Sequence, residues 1–365
     1  MNNMITELKI TGFRGFKDFS LNDLGRINLL VGSNNGGKTS VLEALEFLAS
    51  RGNLRPIFGA MRRRGEHKWP DAQIKSDLEM DICRLFYGYE MQQDSQFSIS
   101  GKRMTSADTV QAEIQESESE SLPDDSYEFL SPYILKLTWN HETEPLNLKL
   151  RLSHQGGLSY KILRTYPPRQ AGKSLFVSTL SLSADEIVPL FEDIVLTPDE
   201  QLVIESIRHI EPTIERIASL GSEKRGGLSY SGTIGGLVVK CKGIDQRIPI
   251  GSMGDGIWRM LGITLALIKA KEGILLVDEI DTGLHFTVME DMWKLIAKTA
   301  ERLNVQVFAT THNSDCWSSL ATILCDKDAD NKNVSIQRIE KNKKQAVAFT
   351  RDEIIIAAKR GIEVR

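Results

Sequence analysis

Apolar and polar residues alternate over the first thirty positions and then change period. Leu8 and Ile10 alternate with Glu7 and Lys9, a turn follows at Phe13 to Phe16, and Phe19 and Leu21 resume the pattern, which predicts half-buried strands. Ile27 to Val31 is a short, mostly apolar run, the signature of a strand covered on both faces. After Gly32-Ser33-Asn34-Asn35-Gly36-Gly37-Lys38-Thr39-Ser40, the residues Val41, Leu42, Leu45 and Leu48 recur at helical spacing. The order is strand, glycine-rich loop, helix.

The periodicity weakens between about 52 and 175. This stretch holds the basic cluster Arg62, Arg63, Arg64 and Lys68 and an acidic tract from Glu113 to Glu128, whose core reads ESESESLPDDS. Such a tract cannot bury enough apolar surface to order itself and predicts a solvated loop or disorder. Strand alternation returns at Tyr133 to Trp139 and Leu146 to Leu152, and helical patterning begins near Ser183. Thr197-Pro198-Asp199-Glu200 supplies a helix cap, a proline at the first position and acids in the first turn.

The last third is the most regular. Gly251 to Gly256 opens an apolar helix, Ile274 to Val277 reads as a buried strand ending in Asp278-Glu279, and a helix from about Phe286 to Leu303 precedes the strand Val305 to Thr310. Val334 to Ile339 and Val347 to Phe349 predict a hairpin around the basic turn Lys341 to Lys344, and Thr350 with Glu353 predicts a capping box before a final short helix. No repeat or sustained heptad is visible, which argues against a long coiled-coil arm.

Composition narrows the class. The chain has 365 residues, and its net charge of −4 argues against a surface that is wholly a nucleic-acid footprint while leaving room for a local basic patch. It shows neither an apolar run of membrane length nor a signal-peptide pattern, so a soluble cytoplasmic protein without a membrane partner is expected. Cys83, Cys241, Cys316 and Cys325 stand far apart, which predicts reduced, mostly buried thiols rather than a disulfide framework or zinc site.

Gly32 to Thr39 satisfies G-x-x-x-x-G-K-[ST] between a strand and a helix, the context that gives the motif its meaning. Its glycines let backbone N–H groups close around a β-phosphate, Lys38 brings positive charge toward the β- and γ-phosphates, and Thr39 offers a hydroxyl to Mg²⁺. Gly172-Lys173-Ser174 is not a second such loop, because position 167 is a proline and no strand precedes it. Asp278, at the end of an apolar strand, suits the metal, and Glu279 suits the polarisation of an attacking water. Gly251-Ser252-Met253-Gly254-Asp255-Gly256 precedes a helix and predicts a second anion site, one that makes sense if it closes over the nucleotide of another subunit; a plain capped turn is the alternative. His312 is placed to sense a γ-phosphate or to serve the structure, and Asp281 to bridge subunits or start a turn.

GSNNGGKT, GSMGDG, ILLVDEID and TTHN, in that order, resemble the ABC-type ATPase heads of the OLD, RecF and SMC-like group, and Asn34-Asn35 with the opening LKITGFRGF is especially similar to OLD-type and related AAA-family defence ATPases. The resemblance covers roughly residues 4 to 50 and 180 to 365. It implies an α/β fold, an ABC-type head with a mixed sheet and an inserted α+β region, divided as 1–51, an insertion at 52–180, and 181–365. The cofactors implied are ATP and Mg²⁺. The nucleotide-binding residues implied are Gly32 to Ser40 with Ser252, Gly254 and Asp281, the metal residues Thr39 and Asp278, and the catalytic residues Lys38, Glu279 and His312. Ser252 and Gly254 correspond to the signature turn acting in trans, Asp281 to the D-loop and His312 to the switch histidine. The turn departs from the transporter LSGGQ, with Gly251 at the leucine and Met253 at the first glycine, and no Q-loop glutamine is assigned.

Only about fifty residues follow His312, too few for the TOPRIM-like nuclease fused to true OLD proteins, and Asp326-Lys327-Asp328 reads as a solvated turn. What remains resembles the stand-alone ATPase subunits of bacterial anti-phage systems such as PARIS. That resemblance implies a homodimer or higher oligomer through an ATP sandwich and a separate effector, a TOPRIM-like nuclease. A RecF-like repair ATPase that clamps DNA is the alternative, and the two basic clusters leave DNA open as a partner. The C-terminal residues from Gly361 are either an effector surface or a docked end.

Overall fold

The computed structural model describes residues 4–68, 78–116, 130–141, 145–166, 172–220, 236–325 and 333–364. Two compact units divide the chain, and each is assembled from separate segments: Met1–Gly25, Asn34–Ser174 and Ile339–Ala348 in the first, and Arg26–Ser33, Leu175–Arg338 and Phe349–Arg365 in the second. These units follow contacts rather than the sequence segments 1–51, 52–180 and 181–365.

Numbered along the chain, the first unit holds β1 (Ile5–Phe13), β2 (Phe16–Leu21), α1 (Lys38–Ala49), α2 (Leu54–Arg63), β4 (His67–Lys68), β5 (Glu79–Asp81), β6 (Gln96–Arg103), β7 (Ala107–Glu116), β8 (Leu130–Asn140), β9 (Leu146–Ser153), β10 (Gly157–Ser159) and α3 (Ile162–Thr165). Its main sheet is antiparallel, in the order β2-β1-β6-β7-β8-β9, and a small sheet runs β10-β5-β4. Alternation sets which face is inward: Phe97 and Ile99, Val110 and Ile114, Leu135 and Leu137, and Leu148 and Leu150 are all buried. The core helix of the unit is α1, buried at every position but Thr39. A Cβ on Gly101 of β6 would fall 2.4 Å from Leu48, so that strand needs glycine where the helix crosses it. Trp139 Nε1, from β8 of the same sheet, donates to the carbonyl of Phe47 at 3.3 Å and ties the helix to it.

β6 and β7 fall in the stretch of weak periodicity, where Phe97, Ile99, Val110 and Ile114 alternate with polar residues but Gly101 and Ala112 interrupt the apolar pattern. Glu113 to Glu116, expected in the acidic loop, belong to β7. The rest of that tract and Asp326-Lys327-Asp328 lie outside the described residues.

The second unit holds β3 (Ile27–Val31), β11 (Ser174–Val177), α4 (Ala184–Glu192), α5 (Pro198–Arg208), β12 (Ile214–Ser219), β13 (Leu237–Cys241), β14 (Ile248–Pro249), α6 (Asp255–Lys269), β15 (Ile274–Val277), α7 (Phe286–Arg302), β16 (Gln306–Thr310), α8 (Ser314–Leu324), β17 (Val334–Arg338), β18 (Val347–Phe349), along which the chain re-enters the unit, and α9 (Arg351–Arg360). Its main sheet has the order β11-β15-β16-β3-β17-β18, and β12-β13-β14 form a smaller one. The central pairs β15 with β16, β16 with β3, and β3 with β17 are parallel. Every residue of β3, β15 and β16 is buried, which is why these strands read as mostly apolar runs, with Asn28, Gln306 and Thr310 the polar exceptions.

The predicted caps form. Thr197 accepts from the Asp199 N–H at 3.3 Å, and Thr350 with Glu353 makes a capping box. Cys241 and Cys316 are buried, but Cys83 is half-buried and Cys325 exposed, so the expectation of mostly buried thiols holds for two of them. No helix among the described residues is long and apolar enough to cross a membrane.

Candidate functional site

The parallel sheet dictates which side chains meet in the second unit. Val277 pairs with Ala309, so Asp278 and Glu279 leave β15 beside the end of β16. The three residues Thr310, Thr311 and His312 each hold one acid. Thr310 Oγ1 donates to Asp278 Oδ1 at 2.7 Å and accepts from the Glu279 N–H at 2.8 Å. Thr311 Oγ1 donates to Asp281 Oδ1 at 2.6 Å, and His312 Nε2 lies 3.0 Å from Glu279 Oε1. The Ile280 N–H closes the set on the Thr310 carbonyl at 3.0 Å. The side chains of Glu279 and His312 are 24% and 37% exposed, so this pair is open to solvent. β3 lies on the other side of β16, in parallel, so Gly32 and Ser33 begin the glycine loop at the same sheet edge, about 10 Å from the β15 line at two strand spacings.

Glu279 has φ 49°, a left-handed conformation that costs a non-glycine residue on the order of 1–3 kcal/mol. A buried arginine that the sequence reading did not single out holds its backbone. Arg259 on α6 is 2% exposed, and its guanidinium donates to the carbonyls of Ser178 (2.5 Å), Asp278 (2.7 Å) and Glu279 (2.7 Å). Burial pulls its pKa down to about 10, against the opposing pull of Asp281, Asp278 and Glu279, so it remains a cation at neutral pH.

The predicted signature turn precedes the same helix. Ile250–Met253 is a 3-10 turn, and Ser252 and Gly254 are exposed, with Gly254 at φ 95° ahead of α6. A Cβ on Gly256 would approach the Gly283 carbonyl to 3.0 Å, and one on Gly283 would sit 3.2 Å from the Asp255 Cβ. The first turn of α6 therefore packs backbone to backbone against the turn that follows Asp281. The Leu284 N–H bonds the Asp281 carbonyl at 3.0 Å, so Asp281 does start a turn.

Asn34 to Ser40 belong to the first unit. Gly37 sits at φ 102° with its Cβ position only 2.4 Å from the Phe16 ring, so no side chain fits there. No side chain caps α1 and no acid stands in its first turn, which leaves a helix N-terminus suited to an anion. Lys38 is buried. Beside this loop, a cavity of about 1080 Å³ is lined by Arg14, Phe16, Lys17, Asn35, Gly36, Gly37, Arg64, Tyr87, Tyr89 and the turn Lys341 to Lys344, among others. Much of the basic cluster read from the sequence is engaged internally: Arg63 pairs with Glu46, Arg64 with Glu43 and Lys68 with Asp81.

Each unit taken by itself offers donors of a kind that suits a phosphate or Mg²⁺: in the first, a glycine-rich loop opens a helix without an acidic cap, and in the second, Asp278 is a hard oxygen ligand held in place by a hydroxyl. No cluster of three His, Cys, Asp or Glu side chains that could hold a metal occurs among the described residues. Thr310, Thr311 and Arg259 are the residues missed by sequence reasoning. The parallel register would have found the threonines, since they extend the strand next to the acidic one, whereas no sequence signal marks Arg259 within an apolar helix.

A family of domains described as "AAA domain, putative AbiEii toxin, Type IV TA system" matches residues 27–315. The chain is 24% identical over 355 residues to a protein of Helicobacter pylori named ATP/GTP phosphatase, covering 89% of this chain and 90% of that one. It is 45% identical over 91 residues to an uncharacterised protein of Methanocaldococcus jannaschii, covering 23% of this chain and 42% of the other. Among solved structures it is similar to the Smc head domain with an extended coiled coil bound to the C-terminal domain of ScpA from Pyrococcus furiosus, with TM-score 0.47, 12% identity, and 98% and 99% of the two chains covered. The SMC head domain from Thermotoga maritima is similar with TM-score 0.43, 11% identity, and 95% and 98% covered.

Proposed function

The chain belongs to this AAA-domain family, and from that premise we propose that it is a Mg²⁺-dependent ATPase whose nucleotide state gates a partner protein. The observation that carries the reading is the turn Thr310-Thr311-His312, three consecutive residues that orient Asp278, Asp281 and Glu279 at the open end of a parallel sheet. The name of the Helicobacter pylori relative, an ATP/GTP phosphatase, supports triphosphate hydrolysis, and GTP is the competing substrate to measure.

In this reading Lys38 and the loop amides would take the phosphates, and Thr39 and Asp278 would hold a magnesium ion, which when bound would supply charge neutralisation. Glu279 orients the attacking water and accepts its proton, while His312 holds one oxygen of that carboxylate so that the other faces the water. Ser252 and Gly254 present an anion site to a nucleotide held by a second subunit.

The finer role we propose is a nucleotide-gated sensor or scaffold in an anti-phage defence system, acting through a separate effector, on the sequence resemblance to PARIS-type ATPase subunits. The family description names a toxin of a toxin–antitoxin system, which supports work alongside a second component. The internal pairing of Arg63, Arg64 and Lys68 speaks against a DNA-clamping surface there. The test compares wild type, Lys38→Ala and Glu279→Gln for ATP binding, hydrolysis and co-purification of a co-expressed effector. Lys38→Ala is expected to lose binding, and Glu279→Gln to keep binding, lose turnover by about 10²–10⁴-fold and retain the effector more firmly with ATP. Normal turnover by Glu279→Gln removes the assignment of the base, and effector recovery that ignores nucleotide and variant alike removes the gating role.

A further inference from the structure

We propose that Arg259 is a positioning residue that couples the glycine turn at the start of α6 to the backbone of Asp278 and Glu279. The inference rests on the ATPase reading for its kinetic consequence but on geometry alone for the coupling. One buried guanidinium spans three carbonyls from two separate strand ends, Ser178 after β11 and Asp278 with Glu279 after β15. Only a planar fork with several N–H donors makes that span, since an ammonium presents a point charge on a flexible stem. The strand end it grips includes Glu279 at φ 49°, a conformation that persists where surrounding contacts over-determine it.

The other end of the coupling is covalent and short. Arg259 lies one helical turn beyond Asp255 and Gly256, whose backbone packs on Gly283. Displacement of the Ile250–Met253 turn therefore carries through the first turn of α6 to both the Gly283 turn and the Glu279 carbonyl. A ligand that seats on Ser252 and Gly254 would in this way set the aim of the Glu279 carboxylate, with no contact between Arg259 and that ligand. Arg259 bonds main-chain carbonyls, so it shapes the path of the chain at the acids and leaves their carboxylate oxygens to Thr310, Thr311 and His312.

The experiment uses Arg259→Lys, which keeps the charge and loses the fork, and Arg259→Met, which keeps the length and loses the donors. Amide hydrogen exchange on the nucleotide-free protein is the first readout. Segments 250–257 and 278–284 are expected to exchange at least about tenfold faster in Arg259→Lys while the core of α7 is unchanged. Steady-state kinetics are the second, with kcat expected to fall by at least about tenfold and KM for ATP to stay within about threefold. Exchange at 278–284 equal to wild type, a kcat loss below about tenfold, or a loss carried by KM overturns the proposal. If Arg259→Met does not fold, Arg259→Lys decides alone. Lys38→Ala and Glu279→Gln run beside them: if these two turn over ATP like wild type the ATPase reading fails, and the exchange result still judges the coupling.

Discussion

One set of acids in the first unit and one at the end of β15 in the second are held in different ways. In the first unit guanidinium and ammonium groups hold them: Glu43 lies between Arg14 (2.7 Å) and Arg64 (2.8 Å), Glu66 meets Arg14 at 2.6 Å, Asp81 meets Arg84 at 3.0 Å, and Asp108 meets Arg103 at 2.9 Å. At the end of β15 in the second unit, two threonine hydroxyls and an imidazole hold Asp278, Asp281 and Glu279. A guanidinium fixes a carboxylate and also cancels its charge, whereas a hydroxyl fixes it and leaves the charge to act. The first arrangement builds a scaffold around α1, and the second keeps three acids aimed where a metal ion and a water can use them.

The comparison breaks most visibly at Glu43. That residue is 1% exposed and serves two arginines, one of them, Arg14, only 3% exposed. Glu43→Ala leaves buried positive charge without its shared acid, and the expected loss in unfolding free energy is about 3–5 kcal/mol. Urea denaturation measures it. A loss below about 1 kcal/mol would mean that the charge network around α1 is not structural.

The next effect is a dependence of stability on pH that comes from Glu46 in α1. Burial raises the pKa of Glu46 from 4.5 to about 7, with Arg63 opposing the rise. The folded state thus favours the protonated acid. Its stabilising contribution is complete below about pH 4.5 and is lost as pH climbs through about 7, on the order of 3 kcal/mol across that window. Glu46→Gln removes the titration. Denaturation at pH 5 and pH 8 should show the wild type losing more stability between the two than the variant, and parallel losses would place the folded pKa of Glu46 near its ordinary value.

Sequence alone revealed the parts of this molecule that rest on local rules. The glycine loop, the buried strands β3, β15 and β16, and the caps at Thr197 and Thr350 are each set by spacing within a dozen residues. The antiparallel strands β6 and β7 were hidden because their inward positions include Gly101 and Ala112, small residues chosen by the helix and strands that press on them. The acids were legible and their holders were not, since Thr310 and Arg259 gain meaning only through partners 32 and 19 residues away. The central sheet of the second unit is likewise long-range: β3 pairs with β17, about three hundred residues later in the chain.

The smallest expected effect bears most directly on the comparison. Thr310 is fully buried, and its hydroxyl makes two contacts at once, donating to Asp278 and accepting from the Glu279 N–H. Thr310→Val keeps shape and β-branching and removes both contacts, so the strand end stays folded while the acids lose their aim. We expect a stability loss of roughly 1 kcal/mol and a fall of about tenfold in kcat, with ATP affinity preserved because the phosphate-binding loop is untouched. Thr310→Ser restores the hydroxyl at the same position and should recover most of the rate, which separates the hydrogen bond from packing. If Thr310→Val hydrolyses ATP at the wild-type rate, a hydroxyl is not what orients the acids, and the division between charge-cancelling and charge-keeping partners loses its functional meaning. If Thr310→Val instead costs as much stability as Glu43→Ala, the β15 edge is scaffold as well, and the contrast between the two units is one of chemistry without a difference in purpose.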